Sequence, residues 1–284
     1  MLFQTLIFGL AIGGVISVSA VGLTLSYGVT RFINFAYGEF LTVGAFLCVA
    51  LVHAGLALPL AVLVAVPLVG LLGIATARLF YDPLMGRGLL PLLVTSVGVA
   101  FVLHNLVRMI AGSNPLRFPL PVMRPWSLGD LFLPREQAVT ILVALAAMLA
   151  VHLMLRYTLL GKKMRAVADD PNLARAAGIS AKGVLRLTWF ISAAVGGLGG
   201  ILLAVTQVTI DPQSGWHFLL VVFAAVLLGG IGSPYGAMIG GLAIGLAMEL
   251  GATYVSADYG HAMAFAVLIA VLIFRPRGLM GGVG

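Results

Sequence analysis

The chain has 284 residues, of which 61% are hydrophobic and only 9% are charged. A soluble domain carries about 25% charged residues, and a membrane-spanning helix needs about 20 apolar residues, so the composition predicts eight or nine spans and excludes a separate globular domain. The net charge of +7 does not indicate nucleic acid as a partner, because the basic residues lie in short loops between apolar runs, where they set orientation in a lipid bilayer.

The expected elements are helices, because the apolar runs are long and show no alternation of polar and apolar residues. They predict an all-α polytopic membrane bundle that forms a single transmembrane domain over residues 1–284. The nine hydrophobic segments lie near residues 5–29, 37–58, 59–79, 89–111, 138–155, 187–208, 216–231, 235–256 and 261–274.

Polar residues interrupt the apolar sequence around the boundary of the first two segments, at Arg31, Asn34 and Glu39. Charged groups at membrane depth usually face a bundle interior, a cavity or each other. One reading is a surface turn. The other is a helix break around residues 28–38, where Asn34 borders a translocation path. Two full crossings give nine spans and an N-terminus outside, whereas a break gives eight and an N-terminus inside. In either case Glu39 can pair with Arg31.

The largest basic excess between two segments lies in residues 156–186, which hold seven Lys and Arg residues against two Asp. Short loops rich in Lys and Arg stay in the cytoplasm, so this loop is expected there. Crossing parity then places residues 112–137 outside, and places residues 78–87 inside together with the C-terminal Arg275 and Arg277.

Within that loop, Asp170 to Gly178 carries the signals of a short helix. Asp170 can cap it, Pro171 suits the first helical position, and the alanines favour helix. Gly178 can end it in the left-handed conformation. Two turns are marginal in water, so this helix is expected to lie against a partner, the alternative being an ordinary solvated connector.

Three stretches of the chain are distinctive together: Gly22-Leu-Thr-Leu-Ser-Tyr-Gly-Val-Thr-Arg-Phe-Ile-Asn-Phe-Ala-Tyr-Gly-Glu-Phe40, Lys163-Met-Arg-Ala-Val-Ala-Asp-Asp-Pro-Asn-Leu-Ala-Arg-Ala-Ala-Gly-Ile179 and Leu228-Gly-Gly-Ile-Gly-Ser-Pro-Tyr-Gly-Ala-Met-Ile-Gly-Gly241. In these stretches the chain resembles permease subunits of ABC importers, in the branched-chain amino acid family called LivH, and the resemblance covers nearly the whole chain. One departure is Tyr37, where family members often have His.

The resemblance implies that residues 156–186 are a coupling loop whose short helix sits in a groove of an ATPase subunit. It also implies a complex in the bacterial cytoplasmic (inner) membrane, made of two related permeases, two ATPase subunits and an extracytoplasmic substrate-binding protein. The implied docking residues are Asp170, Pro171, Asn172, Leu173, Ala174, Arg175, Ala177 and Gly178.

No cofactor, metal or catalytic residue is expected in this chain. It contains no G-x-x-x-x-G-K-[ST] sequence, so ATP and magnesium are expected to bind to the partner subunits. An intramembrane enzyme is disfavoured, because the five histidines are scattered and no H-E-x-x-H, G-x-S-x-G or G-x-G-D sequence occurs. A secondary transporter is the closer alternative, since it too is polytopic and rich in glycine.

A further isolated acid, Glu249, lies within an apolar run. An interhelical hydrogen bond is favoured for it over a substrate contact, although it stays a candidate for the path with Arg31, Asn34 and Glu39. The sparse polar lining favours branched-chain or other hydrophobic amino acids as cargo, and urea, short amides or aromatic acids are the alternatives.

Overall fold

The structure is a computed structural model that describes residues 2–118, 125–128, 131–276 and 278–280, so Arg277 lies outside the described residues. The described helices are α1 Leu2–Thr30, α2 Tyr37–His53, α3 Leu58–Thr76, α4 Leu89–Ala111, α5 Arg135–Tyr157, α6 Leu159–Asp169, α7 Pro171–Ala176, α8 Ala181–Gln207, α9 Ser214–Gly229, α10 Pro234–Tyr254 and α11 Gly260–Phe274.

Short irregular elements connect the helices. A π-helical turn, Ala77–Tyr81, and a 3-10 turn, Asp82–Leu84, extend α3, and a second 3-10 turn, Ala257–Tyr259, precedes α11. The described residues include the strands β1 Leu116–Arg117, β2 Trp126–Leu128, β3 Leu131–Leu133 and β4 Thr209–Ile210, in the antiparallel pairs β1–β4 and β2–β3.

Each of the nine predicted hydrophobic segments forms one helix. In the described part of the chain, six helices are long and apolar enough to cross a membrane: α1, α3 with its extension to Leu84, α4, α5, α8 and α10. The apolar helices α2, α9 and α11 are shorter. The largest difference in a boundary is at α8, which begins at Ala181 rather than near residue 187, because the Ser180 hydroxyl caps it by accepting a hydrogen bond from Gly183 N at 3.3 Å.

The centre of the bundle is α1, which is buried at every residue from Gly13 to Ser26. It packs mainly against α10 and α8. Glycines make this contact close, since a Cβ added at Gly13 would lie 3.1 Å from Leu242 Cα. Gly9 and Gly13 are four positions apart on α1, and such spacing of small residues allows close helix packing in lipid.

The outer helices expose large apolar side chains, such as Leu63 on α3, Leu90 on α4, Leu142 on α5 and Phe274 on α11. An exposed apolar surface of this extent is stable against lipid hydrocarbon and unstable in water. The chain is therefore a multi-pass membrane protein, as the composition predicts.

The two ends of the bundle agree with the expected crossing parity, whereas the membrane side of each end stays a prediction. Near the N-terminus, Gln4 Oε1 accepts a hydrogen bond from Phe132 N at 3.1 Å, so the start of α1 lies beside residues 131–133. At the other end, Asp82 and Gly86 share a cavity with Pro171 of the 156–186 loop. Residues 78–87 and 156–186 therefore occupy one end, and the N-terminus occupies the other.

An irregular segment separates the first two helices. Residues 31–36, here called the return segment, break the helix within the range of residues 28–38 that one reading predicted. Beyond the break, α2 packs through Val49 in one cluster with Phe118 and Ile210. Whether α2 completes a crossing, and on which side of the membrane the N-terminus lies, both stay predictions.

Candidate functional site

The 156–186 loop is more helical than its sequence predicts. Its first helix, α6, begins after Thr158, whose hydroxyl accepts a hydrogen bond from Gly161 N at 3.2 Å. Met164 and Val167 are buried and hold α6 against the bundle. Their spacing is a helical signal, which the basic residues around them, Lys162, Lys163 and Arg165, obscure in the sequence.

The short helix α7 has the predicted start. The Asp170 carboxylate accepts hydrogen bonds from Leu173 N at 3.1 Å and Asn172 N at 2.7 Å. These two bonds hold the pKa of Asp170 below its ordinary value, because they stabilise the ionised form. Pro171 occupies the first helical position, where no hydrogen-bond donor is needed.

The end of α7 is also as predicted. Gly178 has φ +78°, in the left-handed region. Gly178 N donates to Arg175 O at 3.0 Å, and Ile179 N donates to Ala174 O at 2.9 Å. These two bonds form a Schellman motif, which satisfies carbonyl groups at the end of a helix. The conformation predicted for Gly178 is confirmed.

The predicted docking residues occupy two faces of α7. Ala174 is buried against the bundle, whereas Leu173 is 69% exposed. Arg175 is exposed, and its guanidinium folds back onto the helix, where it donates to Pro171 O at 3.3 Å and to Asn172 Oδ1. The remaining predicted docking residues, Asp170, Pro171, Asn172, Ala177 and Gly178, are exposed. Because Ala174 packs on the bundle and Leu173 faces away from it, α7 presents an apolar side chain that can enter a groove of a partner protein.

At the same end of the bundle, Arg31 begins the return segment. It has φ +55° and is exposed. Its guanidinium donates to Ala168 O, in the last turn of α6, at 2.8 Å. The pairing of Arg31 with Glu39 that the sequence allows does not occur, because the irregular return segment separates the two side chains and Arg31 is turned toward the coupling loop.

Asn34 lies deeper in the return segment and is 1% exposed. Its Oδ1 accepts hydrogen bonds from Tyr81 Oη at 2.9 Å and Ala36 N at 3.0 Å. Within the described residues, its Nδ2 has no partner. Asn34 therefore joins the return segment to the π-helical turn after α3. Its predicted position beside the substrate route concerns the space between two permeases and stays a prediction.

Three aromatic rings pack together beside Asn34. The Tyr81 ring lies 5.1 Å from that of Trp189 and 5.3 Å from that of Phe32, measured between centroids. All three side chains are buried. Nothing in the sequence marks Tyr81 or Trp189, because no local pattern indicates a contact between positions so far apart in the chain.

Glu39 lies in the first turn of α2 and is fully buried. Its Oε1 is 3.5 Å from His104 Nδ1 on α4, and within the described residues neither carboxylate oxygen accepts a hydrogen bond. The structure thus places Glu39 beside His104 and away from Arg31. Its expected role in the path stays a prediction.

Two other residues discussed above have defined positions. Glu249 is partly buried on α10, and a Cβ added at Gly9 of α1 would lie 3.4 Å from Glu249 Cβ. Among the described residues, no hydrogen bond to Glu249 accompanies this contact. Tyr37, the departure from the family pattern, is buried and donates from its hydroxyl to Ser19 O at 2.7 Å.

Comparison with known proteins agrees with this arrangement. A family described as branched-chain amino acid transport system / permease component matches residues 5–272. The chain is 34% identical to the high-affinity branched-chain amino acid transport system permease protein LivH of Escherichia coli, over 98% of this chain and 95% of that protein. It is 33% identical to BraD of Pseudomonas aeruginosa over the same shares, and 26% identical to LivM of Escherichia coli over 91% of this chain and 66% of LivM.

Among solved structures, the chain is similar to PsaBC from Streptococcus pneumoniae, solved in complex with Fab. The TM-score is 0.51 at 14% identity, over 97% of this chain and 92% of that one, which supports the fold. From the family match and from its similarity over nearly the full length to LivH and BraD, the chain belongs to the family of branched-chain amino acid transport permeases.

Proposed function

We propose that this chain is a permease subunit of an ATP-driven importer in a bacterial inner membrane, and that it passes branched-chain or other hydrophobic amino acids. A second, related permease completes the path, two ATPase subunits bind at the cytoplasmic end, and a soluble binding protein delivers the cargo. The observation that carries the proposal is α7, a capped helix of six residues that presents Leu173 outward at the end of the bundle that holds residues 78–87. Similarity to both LivH and LivM supports a pair of related permeases.

We propose that the route passes the return segment. Ile33 and Phe35 line an apolar cavity of about 260 Å3 together with Phe223 of α9. Asn34 lies between them in the chain, and Arg31 stands at the cytoplasmic side. An apolar wall suits cargo with a hydrophobic side chain, because that side chain gives up no hydrogen bonds to water when it meets the wall. The wall also offers no strong polar contact that would hold the cargo and prevent its release. Glu39, beside His104, and Glu249 on α10 remain the other candidates for the path.

The proposal is tested by reconstituting the chain in lipid vesicles with the permease, ATPase and binding-protein subunits encoded with it. We expect uptake of labelled leucine that needs both ATP and the binding protein. Uptake of labelled urea in place of leucine would change the assigned cargo. Uptake by this chain alone, driven by an ion gradient, would show a secondary transporter.

Gly178 offers a specific test of docking. Gly178→Val places a β-branched residue at φ +78°, which costs about 1–2 kcal/mol, and we expect it to reduce copurification of the ATPase while membrane insertion stays normal. Gly178→Asn is the matched control, since Asn tolerates the left-handed conformation. A Cβ at this position would meet nothing within 4 Å, so the two variants differ in backbone strain rather than in packing. Equal ATPase yields from both variants would contradict the docking role.

Arg175 tests the charge of the docking face. Arg175→Glu is expected to lower substrate-stimulated ATP hydrolysis more than it lowers the protein level, because an acidic surface on the ATPase would then meet a like charge. The control is Lys162→Glu, an equal change of charge at an exposed position on α6. Stimulation that remains at the wild-type level in Arg175→Glu would show that Arg175 faces solvent in the complex.

A further inference from the structure

Arg31 has a backbone conformation that its side chain does not favour. Within the described residues, Arg31 and Val208 are the non-glycine positions with positive φ, at +55° and +59°. Glycine adopts this conformation without steric cost, whereas other residues are uncommon there. Such a conformation persists where the surrounding structure determines it, which directs attention to what the Arg31 side chain contacts.

The contact of Arg31 lies at the base of the docking helix. Its guanidinium donates to Ala168 O at 2.8 Å, and Ala168 lies two positions before the cap residue Asp170. Asn172 N would be the helical partner of this carbonyl, but it donates to the Asp170 carboxylate. The carbonyl is therefore left without a partner from the helix, and a cation at the C-terminal end of a helix is favourable for its dipole.

On its other side, Arg31 continues into the return segment, which is hydrogen-bonded to two neighbouring elements. Phe35 N donates to the Ser96 hydroxyl of α4 at 3.2 Å, and Asn34 accepts from Tyr81 at 2.9 Å. Between α1 and α9, Ile33 and Phe35 line the apolar cavity. The Arg31 side chain thus joins the last turn of α6 to the segment that lines this cavity.

We propose that Arg31 is a positioning residue that couples the docking helix to the wall of the substrate route. It acts as a strut between Ala168 and the return segment, so that closure of the ATPase subunits moves Ile33 and Phe35. This inference rests on the proposed function, because it requires ATPase subunits at α7. If this position served only to form the turn, glycine would suit it better, because glycine adopts this φ without steric cost. The presence of arginine therefore indicates a role for the side chain.

The experiment compares variants of the complete importer in vesicles and measures the ATP hydrolysed per labelled leucine transported. Arg31→Gly removes the strut and relieves the backbone, and Arg31→Met keeps the length of the side chain but has no donor. Arg31→Lys keeps a donor and a charge. Val208→Gly is the matched control, because it relieves the same conformation after α8, on a segment that pairs with residues 116–118.

We expect Arg31→Gly and Arg31→Met to assemble with the ATPase and to raise the ATP consumed per leucine by at least about fivefold, the lower end of common coupling energies. Arg31→Lys should restore most of the coupling, and Val208→Gly should leave the ratio unchanged. Wild-type ratios in assembled Arg31→Gly and Arg31→Met, or equal uncoupling in Val208→Gly, would overturn the strut. A wild-type chain that binds no ATPase would instead overturn the proposed function.

Discussion

Gly200→Ala is expected to lower the thermal unfolding midpoint of the detergent-solubilised chain, because it lowers the free energy of unfolding by about 2 kcal/mol or more. Gly200 lies on α8 where α2 crosses it, and an added Cβ would overlap the Leu41 carbonyl group, with its carbon only 2.5 Å away. The obstacle is backbone, so a change of side-chain rotamer cannot relieve it, and the two helices must separate. The midpoint is measured by scanning fluorimetry or by loss of the monodisperse peak after heating.

The control for Gly200 is Gly98→Ala on α4. Gly98 is exposed, and a Cβ there would meet nothing within 4 Å. Alanine is favoured over glycine inside a helix by about 1 kcal/mol, so this variant should keep or raise the midpoint. The same change of residue then has opposite effects at the two sites. Equal midpoints would show that the contact of α2 with α8 adjusts without cost.

Asn34→Leu is expected to destabilise the chain by about 2–3 kcal/mol, because two buried donors lose their acceptor and each unsatisfied donor costs about 1–3 kcal/mol. These donors are Tyr81 Oη and Ala36 N, at 2.9 Å and 3.0 Å from Asn34 Oδ1. Tyr81→Phe removes one donor and leaves the other satisfied, so its effect should be smaller. The double variant should be less destabilised than the sum of the single variants.

Asn34→Leu also separates two roles for this residue. A lower unfolding midpoint together with lower transport indicates that Asn34 acts by fixing the return segment. An unchanged midpoint with lower transport would contradict that role and favour the contact with passing cargo that the sequence analysis predicts. ATP hydrolysis without substrate serves as the measure of assembly in both cases.

Local signals predicted much of this structure. The nine apolar runs became nine helices, because each run satisfies its own backbone hydrogen bonds and needs no information from distant residues. The start and end of α7 were also predictable, since Asp170, Pro171 and Gly178 act on the backbone within three positions of themselves.

The contacts between segments could not be predicted in the same way. Asn34 and Tyr81 are bonded across 47 positions, and nothing in either segment specifies the other. The pair of Arg31 and Glu39 that the sequence allows does not form, because proximity in sequence implies proximity in space only along a continuous helix. The return segment interrupts that helix, so Arg31 meets Ala168 and Glu39 meets His104.

The glycine contacts around α1 have a consequence for motion. Where backbones touch, as Gly13 and Leu242 do, little side-chain volume remains that could repack as the helices tilt. We therefore expect α1, α8 and α10 to travel as one rigid block during the transport cycle, with the bending confined to irregular joints such as residues 31–36 and 208–213. Hydrogen exchange under cycling conditions should find fast exchange at those joints and slow exchange along the centre of α1.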